Sequence, residues 1–115
     1  MEQTQVVELT ANNFDETVLT ASQPVLVDFW APWCAPCRLM TPVVDALAEI
    51  FTGRLIVGKV NVDRHPALAA PYGVTNIPTL KLFIGGEAVR TWVGAHYQEQ
   101  LVRELAKALQ SQATA

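Results

Sequence analysis

Basic residues are scarce at the start of this chain. No Lys or Arg precedes Arg38, whereas Glu2, Glu8, Asp15, Glu16 and Asp28 are all acidic. A secretory leader opens with a positive region before an apolar stretch, and transit peptides are Arg-rich and acid-poor. Neither pattern occurs, so the expectation is a protein that stays in the cytoplasm. No apolar run approaches the roughly 18 residues of a membrane span, and no membrane association is expected. Eight Lys and Arg against eleven Asp and Glu, a net charge of −3, argue against a general nucleic-acid binder. Internal repeats, low-complexity blocks and linkers are also missing. With 50% hydrophobic and 17% charged residues, the composition fits a folded globular protein. The expectation is one domain over residues 1–115, with its core over about 6–109.

Cysteine is sparse too. Cys34 and Cys37 are the only two, three positions apart. In a reducing compartment such a pair is more often catalytic or metal-binding than structural. A structural bridge closing so short a loop would remove little unfolded-state entropy.

What is present alternates between strand-like and helix-like patterns. Gln5–Leu9 is β-prone. Thr10 or Asn12 is suited to cap a short helix through Thr20, with Phe14, Val18 and Leu19 as its apolar face. Pro24–Trp30 is a nearly continuous apolar run, the pattern of a strand covered on both faces. Cys34–Thr52 has helical spacing, with Pro42 expected to kink it and Gly53 to end it. Leu55–Val62 is strand-like, and His65–Tyr72 reads as a short helix ended by Gly73. Thr79–Ile84 and Glu87–Val93 read as strands joined by Gly85-Gly86, a dipeptide suited to a primed hairpin turn. Gln98–Leu109 places Leu101, Val102, Leu105 and Leu109 on one helix face, with fraying expected from Ser111 onward. The order β-α-β-α-β-α-β-β-α indicates an α/β domain with a mixed sheet and helices on both faces.

The main chemical signal is Trp33-Cys34-Ala35-Pro36-Cys37, between a buried strand and a helix. That position sets Cys34 beside the unpaired N–H groups of a helix start. The helix dipole there favours the thiolate by about 0.3–1 kcal/mol. The thiolate is the nucleophile. Cys37, one turn along the same face, is placed to attack a mixed disulfide on Cys34 and release a reduced substrate. Pro36 costs little in a first turn whose N–H groups are unpaired anyway. The competing reading of C-x-x-C is half of a zinc site. It needs two more ligands, and the only histidines, His65 and His96, are far apart and lack the usual pairing. Redox chemistry is therefore preferred and no metal is expected.

Two further residues stand out. Asp28 is the single charge in Val25–Trp30. If buried, it has a raised pKa and suits a proton acceptor for Cys37; alternatively it sits at a rim or caps a turn. Lys59, in the next strand, is either its partner or an ordinary solvated lysine. Pro78, in Ile77-Pro78-Thr79, reads on base frequency as a trans strand-starting proline.

These landmarks together resemble the thioredoxin family, from about Val6 to Leu109. They include Phe14, Val27-Asp28-Phe29-Trp30-Ala31, Trp33-Cys34-x-Pro36-Cys37, Pro42, Lys59 and Asp63. Downstream are Tyr72-Gly73-Val74, Ile77-Pro78-Thr79, Phe83, Gly86 and Val93-Gly94-Ala95. Depressed thiol pKa in a C-x-x-C motif is well known from thioredoxins themselves, so the electrostatic reading is not independent of the resemblance. The resemblance implies a thioredoxin fold, a mixed five-stranded sheet flanked by four helices. It implies a reversible Cys34–Cys37 disulfide, with Cys34 attacking, Cys37 resolving, Asp28 accepting the proton and Lys59 tuning Asp28. It implies that Pro78 is cis and docks the substrate backbone. It implies a substrate groove at Trp33, Ala35, Pro36, Ile77, Pro78, Val93, Gly94 and Ala95.

Ala35 departs from the family pattern, which usually has Gly there, and the residues between the cysteines influence redox poise. Trp92 also departs: it either extends the docking surface or packs into the protein. The function implied is reduction of protein disulfides in cell redox homeostasis, by a monomer with no bound cofactor. The partners implied are protein disulfide substrates and a thioredoxin reductase, either an NADPH-flavin enzyme or a ferredoxin-linked one. Oxidase and isomerase relatives carry more polar or His-containing spacers than Ala35-Pro36. A redox-independent binding subunit is the rival from another class, and Cys34→Ser separates it: binding survives the substitution, turnover does not.

Overall fold

Why the apolar run after Pro24 tolerates no exposure is answered by its place in the sheet. A computed structural model describes residues 5–113. It contains β1 (Val6–Leu9), β2 (Val25–Trp30), β3 (Ile56–Asn61), β4 (Thr79–Ile84) and β5 (Glu87–Val93) in one sheet, in the order β1-β3-β2-β4-β5. β2 is the central strand. It runs parallel to β3 and antiparallel to β4. β1 is parallel to β3, and β5 antiparallel to β4, which makes the sheet mixed as expected.

Both faces are covered. Side chains alternate along β2, so Leu26 packs with Met40, Val44 and Leu47 of α1 (Ala35–Ile50) and with Leu101 and Leu105 of α3 (Gln98–Ala113). Val25, Val27 and Phe29 face the other way, onto Phe14, Val18, Ala69 and Phe83. A short α2 (Pro66–Ala69) lies on that second face. The alternation puts Asp28 on the Leu26 side, toward α1.

Three boundaries differ from the sequence reading. The segment expected as an α-helix through Thr20 forms turns and then a single π-helical turn, Asp15–Leu19, closed by Thr20 N–H on the Asp15 carbonyl at 3.0 Å. Thr10 serves the preceding turn: its N–H donates to Asn13 Oδ1 at 2.7 Å, and its hydroxyl accepts from Asn12 N–H. Burial of Phe14 and Val18 against the sheet sets this segment, where β-branched Thr17, Val18 and Thr20 offer poor helix propensity. The helix expected over His65–Tyr72 is α-helical only to Ala69 and then tightens to a 3₁₀ turn over Ala70–Tyr72. Pro71 has no N–H to continue the α ladder. The final helix extends beyond the predicted fraying point, through Ala113; residues 114–115, like residues 1–4, lie outside the described residues. α1 is helical without interruption through Pro42.

The β4–β5 turn is as expected. Gly85 and Gly86 have φ of 62° and 85°, the signs that a type I′ turn requires.

Candidate active site

The C-terminal end of β2 delivers the chain into the motif. Ala31 accepts the Cys34 N–H at 3.2 Å, and Cys34 caps α1 in an extended conformation. Its sulfur accepts the Cys37 N–H at 3.2 Å. Cys34 and Cys37 are disulfide-bonded. The sulfur of Cys34 therefore sits among the free N–H groups of α1 and in line with its dipole, an arrangement that stabilises negative charge. Both cysteines are buried with Ala31, under Trp30, Val62 and Ile77.

The surroundings form a rim. Trp33 is 67% exposed, and its indole N–H donates to Asp63 Oδ2 at 2.9 Å. Asn61 Oδ1 accepts the N–H groups of Asp63 and Arg64, which shapes the turn that holds Asp63. Opposite, the Ile77 carbonyl oxygen lies 3.8 Å from the Cys34 sulfur. The Ile77–Pro78 peptide is cis. Thr79 hydroxyl donates to the Asn76 carbonyl at 2.6 Å, and Gly94 N–H donates to the Pro78 carbonyl at 2.8 Å. The last contact ties Val93–Ala95 to the Pro78 loop. Val93 is 55% exposed beside it.

Beneath the motif, Asp28 is 4% exposed, and its Oδ1 has no hydrogen-bond partner among the described residues. Burial pushes its pKa up from 3.8 to about 7, against a smaller opposing pull from the Lys59 charge. Lys59 pairs with Asp28 in register across β3 and β2, yet its Nζ stands 4.6 Å from the Trp30 ring centroid, as a cation–π contact. Asp28 is thus a buried carboxyl held near neutrality, not half of a tight ion pair.

A strand-to-helix junction carrying a dithiol, with a buried acid below and a cis-proline loop opposite, is the arrangement implied by the family resemblance. The thioredoxin family model matches residues 5–107. The chain belongs to the thioredoxin family. It is 47% identical over 102 residues to Thioredoxin 1 of Nostoc sp., an overlap of 89% of this chain and 95% of that protein. It is 50% identical over 90 residues to the thioredoxin of Porphyra purpurea, covering 78% and 84%. With Thioredoxin 1 of Synechococcus elongatus it shares 48% identity over 101 residues, covering 88% and 94%. As a thioredoxin-family protein with its cysteine pair in place, it is a thiol–disulfide oxidoreductase.

Of the residues expected at a thioredoxin site, Cys34, Cys37 and Ile77 share one buried cluster, and Trp33, Ala35 and Pro36 are exposed around it. Trp92 takes the packed alternative. It is 3% exposed, and its indole N–H donates to Glu104 Oε1 at 2.7 Å. The sequence reading assigned no role to Asp63, Asn61, Thr79 or Glu104. Asp63 and Glu104 act on tryptophans brought close only by the fold, whereas the partners of Asn61 and Thr79 lie two or three residues away and were readable local signals.

Proposed function

We propose that the protein reduces disulfides of other proteins, with Cys34 attacking and Cys37 resolving. The observation that carries this is the Cys34 sulfur at the N-cap of α1, accepting the Cys37 N–H at 3.2 Å. In the reduced protein, the Cys34 thiolate attacks one sulfur of a substrate disulfide. The substrate S–S bond breaks, a mixed disulfide forms, and the first substrate thiolate leaves and takes a proton. Cys37 then passes its proton to the Asp28 carboxylate and attacks the Cys34 sulfur. The mixed disulfide breaks, the second substrate thiolate leaves, and the chain is left as the Cys34–Cys37 disulfide. The raised Asp28 pKa, about 7, supports its role as acceptor: such a group exchanges protons readily near neutral pH. Lys59 restrains that rise.

The substrate backbone docks beside Pro78, between the exposed apolar surfaces of Trp33, Ala35 and Pro36 on one side and Ile77 and Val93–Ala95 on the other. Partly exposed apolar surface around the thiols suits unfolded or loop-presented disulfides. Residues 1–115 act as one domain, as a cytoplasmic monomer carrying electrons. A thioredoxin reductase, NADPH-flavin or ferredoxin-linked, returns two electrons and two protons to the pair. No bound cofactor is needed.

The test is the reduction potential of the pair, by equilibration against a thiol–disulfide buffer with mass-spectrometric readout. A value more negative than the glutaredoxin range of about −200 to −230 mV supports a reductant. A value near or above about −180 mV, that of protein disulfide isomerase, overturns it in favour of an isomerase or oxidase. For the roles, Cys37→Ser should accumulate the mixed disulfide with substrate, and Cys34→Ser should not. The reverse result exchanges the two thiols.

A further inference from the structure

Behind the docking edge runs a polar chain that the redox chemistry does not use. Glu104 on α3 accepts from Trp92 Nε1 at 2.7 Å, from Arg90 at 3.1 Å and from Gln100 Nε2 at 3.3 Å. Gln100 Oε1 faces His96 Nδ1 at 3.3 Å, and His96 Nε2 faces the Val93 carbonyl oxygen at 3.1 Å. One more residue along, Gly94 N–H donates to the Pro78 carbonyl. A continuous path thus joins α3 to the segment assigned above to substrate docking.

The hydrogen-bond inventory decides the direction of each link. A carboxylate only accepts, so the Gln100 amide nitrogen must face Glu104, which leaves its oxygen toward His96. The Trp92 indole, foremost, holds Glu104 below the ordinary carboxylate range, with Gln100 and Arg90 adding to it against some desolvation. The Val93 carbonyl also only accepts, so both ring nitrogens face acceptors and the ring is set between them. α1 contributes apolar Leu39, Met40 and Val43 to the cavity that His96 lines, beside Tyr97.

We propose that His96, oriented by Glu104 through Gln100, is a positioning residue that fixes the Val93–Ala95 edge for substrate docking, while the chemistry at Cys34 is untouched. This rests on that edge being the docking surface.

The experiment uses pre-reduced full-length protein in single turnover, followed by tryptophan fluorescence, against insulin and against 5,5′-dithiobis(2-nitrobenzoic acid). The second substrate is too small to span the edge. His96→Gln replaces a rigid ring set between two acceptors with a flexible amide. It should raise the half-saturating insulin concentration about threefold to tenfold, the worth of one hydrogen bond. The limiting rate and the small-disulfide rate should match the wild type. Glu104→Gln frees the Gln100 amide to turn over, so adding it to His96→Gln should cost no more than His96→Gln alone. An unchanged half-saturating insulin concentration, strict additivity, or a matching loss with the small disulfide overturns the proposal. Val93→Asp, a charge on the edge itself, separates the two layers. If it weakens insulin docking and His96→Gln does not, only the proposal fails; if neither does, the docking surface fails with it.

Discussion

Asp28 is where a single residue's energetics and its chemistry pull apart. Its folded pKa of about 7 stands above the 3.8 of an ordinary aspartate, so the folded state binds the proton more tightly than the unfolded state does. Stability is then full below the unfolded pKa and falls as pH rises toward the folded one, by up to about 4 kcal/mol. Asp28→Asn removes that penalty. Denaturant titration should show the variant more stable than the wild type above pH 7, with the gain shrinking as pH falls toward the unfolded pKa. The same variant should slow release of the mixed disulfide, because Cys37 loses its proton acceptor. A variant without the pH-dependent gain would place the carboxyl in water.

Ala35 is the other residue-scale question. It is exposed at the first turn of α1, adds one methyl and no charge, and suits a helix start. Ala35→Gly should shift the reduction potential by less than about 30 mV, equivalent to about 1.4 kcal/mol for two electrons. A larger shift, read in a glutathione-buffer titration, would mean that the spacer methyl sets the poise.

Among the elements, the β4–β5 hairpin tests how tightly a turn is specified. Gly86 has φ of 85°, and a Cβ built there meets the Leu19 carbonyl oxygen at 2.6 Å, from the end of the π-helical turn. Gly86→Ala therefore meets both a left-handed backbone and a backbone clash. It should cost about 2 kcal/mol or more by thermal or chemical denaturation. Gly85 has open space around it, so Gly85→Ala carries only the conformational cost and should destabilise less. Strand positions and the long helices were readable because period-two and period-3.6 patterns are properties of consecutive residues. For the short helical segments the place was readable but not the helix type. Five to eight residues bury too few side chains for periodicity to decide, and Pro71 and the packing of Phe14 set their form.

Across the whole molecule, stability rests on the two layers that cover β2. Leu105 is fully buried in the α1–α3 layer, with Leu26, Leu80 and Trp92 around it. Leu105→Ala should cost about 2–5 kcal/mol, visible as a lower denaturation midpoint in one cooperative transition. Two separate transitions would contradict the one-domain reading.

Taken alone, the amino-acid order determined the β/α alternation, the hairpin, the dithiol at a strand-to-helix junction and the presence of one charge inside an apolar strand. All of these are set by near neighbours along the chain, through side-chain alternation, turn conformation and the dipole of the helix that follows. For Asp28 it left rim and interior equally open. Burial between β3 and β4 decided it, because desolvation depends on what covers a side chain and not on its sequence neighbours. The packing of Trp92, the anchoring of Trp33 by Asp63, the seat of Lys59 over Trp30 and the Glu104–Gln100–His96 path were likewise decided only in three dimensions. Most of those contacts join residues from separate elements, and the link from His96 to Gln100 depends on which way α3 turns its polar face.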